Sequence, residues 1–112
     1  MNIMDNSKII YEDEEILVLM CNNRKANGEV LLTTKKHFDN LLDIDENLLV
    51  HIHRVLKDMK DLIYDRLNPD GLQITSNYGS INSYNSFYID ITPFYNPNQP
   101  LVDIDIIFDK LK

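Results

Sequence analysis

Ser86, Tyr88, Asp90 and Thr92 alternate with Phe87, Ile89 and Ile91 in the stretch NSFYIDITPFY, residues 85–95. Alternation of this kind predicts a strand, and it sets every second side chain on one face roughly 7 Å apart. Two of the four polar residues can do chemistry. A carboxylate such as Asp90 can act as a base or attack as a nucleophile, and a phenol such as Tyr88 can attack once a base removes its proton. An ordinary phenol titrates near ~10, so Tyr88 would need Asp90 as that base. The bland alternative is a strand whose polar face meets solvent or a partner.

Other reactive residues are sparse. His51 and His53 are two apart on a stretch with helical periodicity, so they point to different sides and read as solvated rather than as a metal pair. His37, in the turn KKH, reads as structural. Asp103, Asp105 and Asp109 offer oxygen ligands for a weak divalent site, but a charged, solvated sheet edge is the commoner use of such a pattern. Cys21 is the one cysteine. It excludes an internal disulfide, and a buried, inert thiol is its default reading. No metal and no cofactor are expected.

The elements that must position these residues follow from periodicity. KIIYEDEEILVLM predicts a hairpin: a short strand from Ile9, a polar turn at Glu12, Asp13 and Glu14, and a buried strand over Ile16 to Met20. NNRKANG is a loop and EVLLTT a third strand. KKHFDNLLDI predicts a short helix or turn. Asp45 then caps a long amphipathic helix carrying Leu48, Leu49, Ile52, Val55, Leu56, Met59, Leu62, Ile63 and Leu67, which NPDG ends. LQITSN is a fourth strand, YGSINSYN a polar loop, and the 85–95 stretch a fifth strand closed by Pro93. In LVDIDIIFDK, Val102, Ile104, Ile106 and Phe108 alternate with aspartates, which predicts a sixth, edge strand. The order implies an α+β fold, an antiparallel sheet with one long helix on one face.

With 112 residues the chain has room for one domain, residues 1–112, and its net charge of −7 argues against nucleic acid and anionic membrane surfaces. No apolar run is long enough to span a bilayer, and MNIMDNSK does not read as a signal peptide, so a cytoplasmic protein is expected.

Several of these segments together resemble the histidine triad (HIT) superfamily of nucleotide hydrolases and transferases. KIIYEDEEILVL is similar to that family's opening strand pair. Asn23, Ala26, Gly28, Leu31, Lys35 and His37 match its pattern N-P-x-A-P-G-H-x-L-V-I-P-K-x-H. PDGLQITSNYG resembles D-G-L-N-I-x-x-N-x-G, with Asn77 and Gly79 in place. The likeness covers roughly residues 8–95. It implies a HIT-like antiparallel sheet of about five to six strands with one long and one short helix. It also implies a homodimer joined through the long helix and a strand.

The family's H-x-H-x-H, whose central histidine attacks an α-phosphate, falls on the 85–95 stretch, which contains no histidine. Counting back from Pro93 places the triad at Ser86, Tyr88 and Asp90; counting forward from Gly79 places it at Tyr88, Asp90 and Thr92. Cys21 stands where the family commonly has a ribose-binding Asp, and Arg24, Asn27, Glu29 and Thr34 replace prolines and a histidine of its loop. Imidazole suits the reaction because it is nucleophilic near neutrality, and nothing near Tyr88 or Asp90 in the sequence supplies positive charge for phosphate oxygens. Three readings follow. The first is a catalytically degenerate module binding a nucleotide or other phosphate compound through Cys21, Asn23, Asn77, Tyr88 and Asp90. The second is a nucleotide hydrolase or nucleotidyl transferase using Tyr88 or Asp90, and the third an interaction domain presenting Tyr78, Tyr84, Tyr88 and Tyr95.

Overall fold

In the computed structural model, residues 8–112 are described; the opening MNIMDNS, which the sequence reads as lacking a signal peptide, lies outside them. Five strands form one antiparallel sheet: β1 (Ile9–Glu12), β2 (Ile16–Met20), β3 (Val30–Thr34), β4 (Gly71–Thr75) and β5 (Ile89–Phe94), in the order β1-β2-β3-β5-β4. The long helix α1 (Glu46–Leu67) follows β3, and the short helix α2 (Ile104–Leu111) closes the chain.

The helix α1 starts where Asp45 accepts a hydrogen bond from Leu48 N, and ends where Asn68 turns into the left-handed region at φ 48°. Its Leu48, Ile52, Val55, Met59 and Ile63 are buried at three- and four-residue spacing. They pack on one face of the sheet, against Ile16, Val18, Met20, Val30, Leu32, Ile89 and Ile91. Full burial of such a side chain contributes roughly 1.5–3 kcal/mol, so this layer dominates stability. Period two sends Leu17, Leu19, Leu31 and Tyr88 to the opposite face, where they join Cys21 in a second cluster.

The hairpin is tied to α1 through Asp13. Its carboxylate accepts from the Tyr11 hydroxyl, from Glu15 N and Ile16 N at 2.8 Å, and from His51 Nε2 at 2.6 Å. Burial pushes this acid up, but those donors together hold it well below the usual carboxylate range. His51 is therefore not the solvated helix residue that its spacing suggests. His53 is exposed, and the exposed His37 bonds Asp39 at 2.9 Å.

The sixth strand is a helix. Ile104, Ile107, Phe108 and Leu111 also fit a 3.6-residue period, Asp103 caps the first turn by accepting from Asp105 N, and Ile107 and Leu111 enter the main core while Ile106 stays exposed. Its aspartates line no sheet edge: Asp105 pairs with Lys8 and Asp109 with Lys112. The short helix or turn expected over KKHFDNLLDI is a single 3-10 turn, Leu41–Asp43. Pro93 does not close β5, which runs on to Phe94; it lies opposite Leu72, past the Ile89–Ile91 stretch that pairs with β3, where a missing N–H interrupts no ladder on that side. Among the described residues, no helix is long and apolar enough to cross a membrane.

Candidate functional site

The segment before β5 is not part of the ladder. Residues 86–88 are held instead by bonds that are not part of the strand ladder. Phe87 N donates to Phe38 O at 2.7 Å, Thr33 Oγ1 to Phe87 O at 2.7 Å, and Ser76 Oγ to Tyr88 O at 2.8 Å. The preceding loop is organised by Asn82. Its amide donates to Asn77 O and Ser86 O, and its oxygen accepts from Tyr84 N and Asn85 N. These bonds preserve the alternation predicted from sequence: Phe87, Ile89 and Ile91 enter the core under α1, and Tyr88 and Asp90 face the other way.

On that other face lies a cavity of ≈320 Å³. Cys21, Asn23, Asn77, Tyr88 and Asp90, all singled out from sequence, line it together with Lys25, Glu29, Thr75, Ile81, Ser83 and Tyr84. Ser86 and Thr92 do not line it. Ser86 is half-buried and offers its carbonyl to Asn82, while the Thr92 hydroxyl donates to Asp90 Oδ1.

The floor is made of acids and a thiol. Cys21, Glu29 and Asp90 are each more than nine-tenths buried, and their sulfur and carboxylate oxygens lie within 4.8 Å of one another. Burial, then the hydrogen bond to Glu29, push the Asp90 carboxyl up to about 7. Burial raises Glu29 too, but donation from Asp90 and from Lys25 N, at 2.6 Å, leaves it below its ordinary value. Glu29 is thus the charged member and Asp90 carries the proton. Lys25 Nζ stands 3.6 Å from Glu29 at the exposed rim. Burial, and then the carboxylates, push the Cys21 thiol up to about 11. A thiol so placed stays protonated and is no nucleophile at neutral pH.

The wall is aromatic and amide. Asn77 Nδ2 donates to the Tyr88 hydroxyl at 2.7 Å, and the Tyr84 and Tyr88 rings meet edge to face with centroids 4.9 Å apart. Burial, and then Cys21, raise Tyr84 to about 12. Tyr88 and Tyr95 are buried, Tyr84 is half-buried and only Tyr78 is exposed, so the four do not form the aromatic surface that their number suggests.

Sequence reasoning missed Glu29, Lys25 and Tyr84 as residues of the cavity. The signal for Glu29 was an acid at the head of the apolar run Val30-Leu31-Leu32, next to Gly28, but only the pairing of β3 with β5, which sets Leu31 opposite Asp90, brings it to the floor.

The family model described as HIT domain matches residues 4–84. An uncharacterized HIT-like protein of Methanocaldococcus jannaschii is 24% identical over 116 residues, covering 95% of this chain and 89% of its own. Two crystal structures share the fold. A Hit-like protein involved in cell-cycle regulation from Bartonella henselae has a TM-score of 0.81 and 21% identity, covering 92% of this chain and 82% of its own. A hypothetical histidine triad nucleotide-binding protein from Sulfolobus tokodaii has a TM-score of 0.82 and 22% identity, covering 93% and 80%.

Proposed function

The chain belongs to the HIT family, and we propose that within it this protein, as one domain, binds a small ligand in the β5 cavity without the family's histidine-driven phosphoryl chemistry. The ligand class is a nucleotide or a related phosphate compound. The carrying observation is a cavity large enough for part of such a ligand, ≈320 Å³, at the strand where the family resemblance puts imidazoles, with Tyr88 and Asp90 in their place. Both belong to either alignment of the triad, and the bond from Thr92 to Asp90 favours the one that uses Tyr88, Asp90 and Thr92.

The alternative, hydrolysis or nucleotidyl transfer with Tyr88 or Asp90 as nucleophile, is the weaker reading. The Tyr88 oxygen accepts a hydrogen bond from Asn77 Nδ2, a structural tie within the wall. Asp90 holds a proton near neutrality. Lys25, the cation at the rim, faces a carboxylate, so little positive charge is left for developing phosphate oxyanions.

A homodimer belongs to the same reading. Leu49, Val50 and Ile74, 39%, 50% and 52% exposed, border a groove of ≈770 Å³ between α1 and β4, an edge strand of the sheet. A second copy would cover these apolar groups and continue the sheet. The free thiol of Cys21 suits a reducing, cytoplasmic setting.

Ligand binding to the folded state must raise its melting temperature. A thermal-shift screen of nucleosides, nucleotides and simple phosphates, run with chelator, is expected to give a saturable rise for at least one of them. The same mixtures are expected to release no AMP from an adenosine phosphoramidate or a dinucleoside polyphosphate. Release lost in both Tyr88→Phe and Asp90→Asn would establish the enzyme instead, and no shift at millimolar ligand would leave an interaction domain.

A further inference from the structure

The cavity floor holds a donor set that ligand binding alone leaves unexplained. Cys21 lies just after β2, Glu29 just before β3 and Asp90 within β5. Backbone pairing fixes all three: Cys21 N donates to Glu29 O at 3.1 Å, and Asp90 pairs with Leu31. One thiol sulfur and two carboxylate oxygens converge to within 4.8 Å, on side chains 5%, 2% and 8% exposed.

We propose that Cys21, Glu29 and Asp90 are three ligands of a transition-metal dication, zinc by donor preference, whose fourth coordination position opens into the cavity. The inference rests on the same cavity as the binding reading and adds a component to it.

Three considerations carry it. First, buried acids are normally paired with a cation or ligate a metal. Here the cation that reaches Glu29, Lys25, is 70% exposed and stands at the rim, 3.6 Å away. Second, the donor types select the metal. Magnesium and calcium take six or more ligands, almost all oxygen, whereas a mixed sulfur and oxygen set suits four-coordinate zinc or cobalt. Third, the dimensions fit. With Zn–S about 2.3 Å and Zn–O about 2.1 Å, tetrahedral donors stand about 3.5 Å apart, so the observed spread closes by shifts of about an ångström. Three protein ligands with an open fourth place are the arrangement of metal sites that receive water or a substrate atom. Asn77, Tyr84 and Tyr88 line the space beyond. A dication there would supply the positive charge that a phosphate or hydroxyl group of a ligand needs. Binding requires deprotonated donors, so it releases protons.

The test is a cobalt titration of the full chain under reducing, thiol-free conditions. Cys21 is the one cysteine, so a thiolate-to-cobalt charge-transfer band can arise only there, and surface histidine sites stay silent. The expected result is a band that saturates at one equivalent, is displaced by zinc and is absent in Cys21→Ser. Affinity is expected to fall at least tenfold in Glu29→Gln and in Asp90→Asn. Where a variant fails to fold by circular dichroism, X-ray absorption of zinc-loaded wild type decides, with one sulfur neighbour at about 2.3 Å and the rest oxygen expected. No band and no sulfur neighbour overturn the proposal, as does a band of unchanged affinity in both folded carboxylate variants. Thermal shifts by nucleotides in chelator read the cavity without metal, so failure of the metal site leaves the binding reading standing.

Discussion

Glu29 accepts a hydrogen bond from the Asp90 carboxyl across the floor of the cavity. In the metal-free protein two acids from different segments thereby share one proton, as acids must when they are buried together with no cation between them. The pair titrates as a unit.

The first prediction is a slope in stability against pH. Asp90 is raised from 3.8 unfolded to about 7 folded. Between those values the folded state holds a proton that the unfolded chain has released. The stability contributed by Asp90 is therefore fully present below 3.8 and is lost as pH rises to about 7. The slope is at most about 1.4 kcal/mol per pH unit. Asp13 and Glu29, both lowered, act with the opposite sign: Asp13 below this window, from 3.8 downward, and Glu29 from 4.5 downward, so that it offsets only the lowest part of the decline. Urea unfolding across the window, in chelator, should show the decline in wild type and a flatter profile in Asp90→Asn; equal slopes would contradict the shared proton.

Tyr88→Phe tests the wall. Removing the hydroxyl leaves the Asn77 amide without its 2.7 Å acceptor in a half-buried position. The expected cost is about 1–2 kcal/mol in denaturant unfolding. A neutral substitution would mean that water replaces the phenol without penalty.

Asp13 is the node between the hairpin and α1, with four donors on one carboxylate. Asp13→Ala should destabilise by about 2–4 kcal/mol, because two backbone N–H groups, a phenol and an imidazole lose their acceptor together. His51→Ala removes one of the four and should cost less than half as much. Equal losses in the two variants would show that the His51 bond carries the effect.

Gly28 sits at φ +91°, and an added Cβ would collide with Leu67 Cδ1. Gly28→Ala should cost more than about 1 kcal/mol, chiefly through backbone strain at positive φ, with the Leu67 side chain pushed aside. The alanine at Gly71, where nothing lies within 4 Å and φ is not positive, is the control and should be far milder.

Much of this was legible in the sequence. The helix α1 was readable because its nine apolar residues keep one period over many turns, and β2, β3 and β4 because their runs are short, β-branched and bounded by turn residues. The alternation around Tyr88 was readable although residues 86–88 lie outside the ladder, because side-chain bonds from Thr33, Ser76 and Asn82 hold their carbonyls in place and keep Phe87 and Tyr88 on opposite faces. The C-terminal segment failed for a physical reason. Ile104 and Ile106 fit period two, Ile104 and Ile107 fit period 3.6, and only packing of Ile107 and Leu111 into the core decides between them. Glu29 was not legible as a floor residue, since its partners come from β2 and β5. His51 could not be matched to Asp13 from sequence, because that contact depends on how the hairpin lies across α1.

The most direct test is a calorimetric titration of wild type with nucleoside phosphates in chelator. A saturable isotherm whose power returns to baseline after every injection is predicted. A steady heat of turnover accompanied by AMP would contradict binding without chemistry, and the absence of any heat with every nucleotide would contradict binding itself.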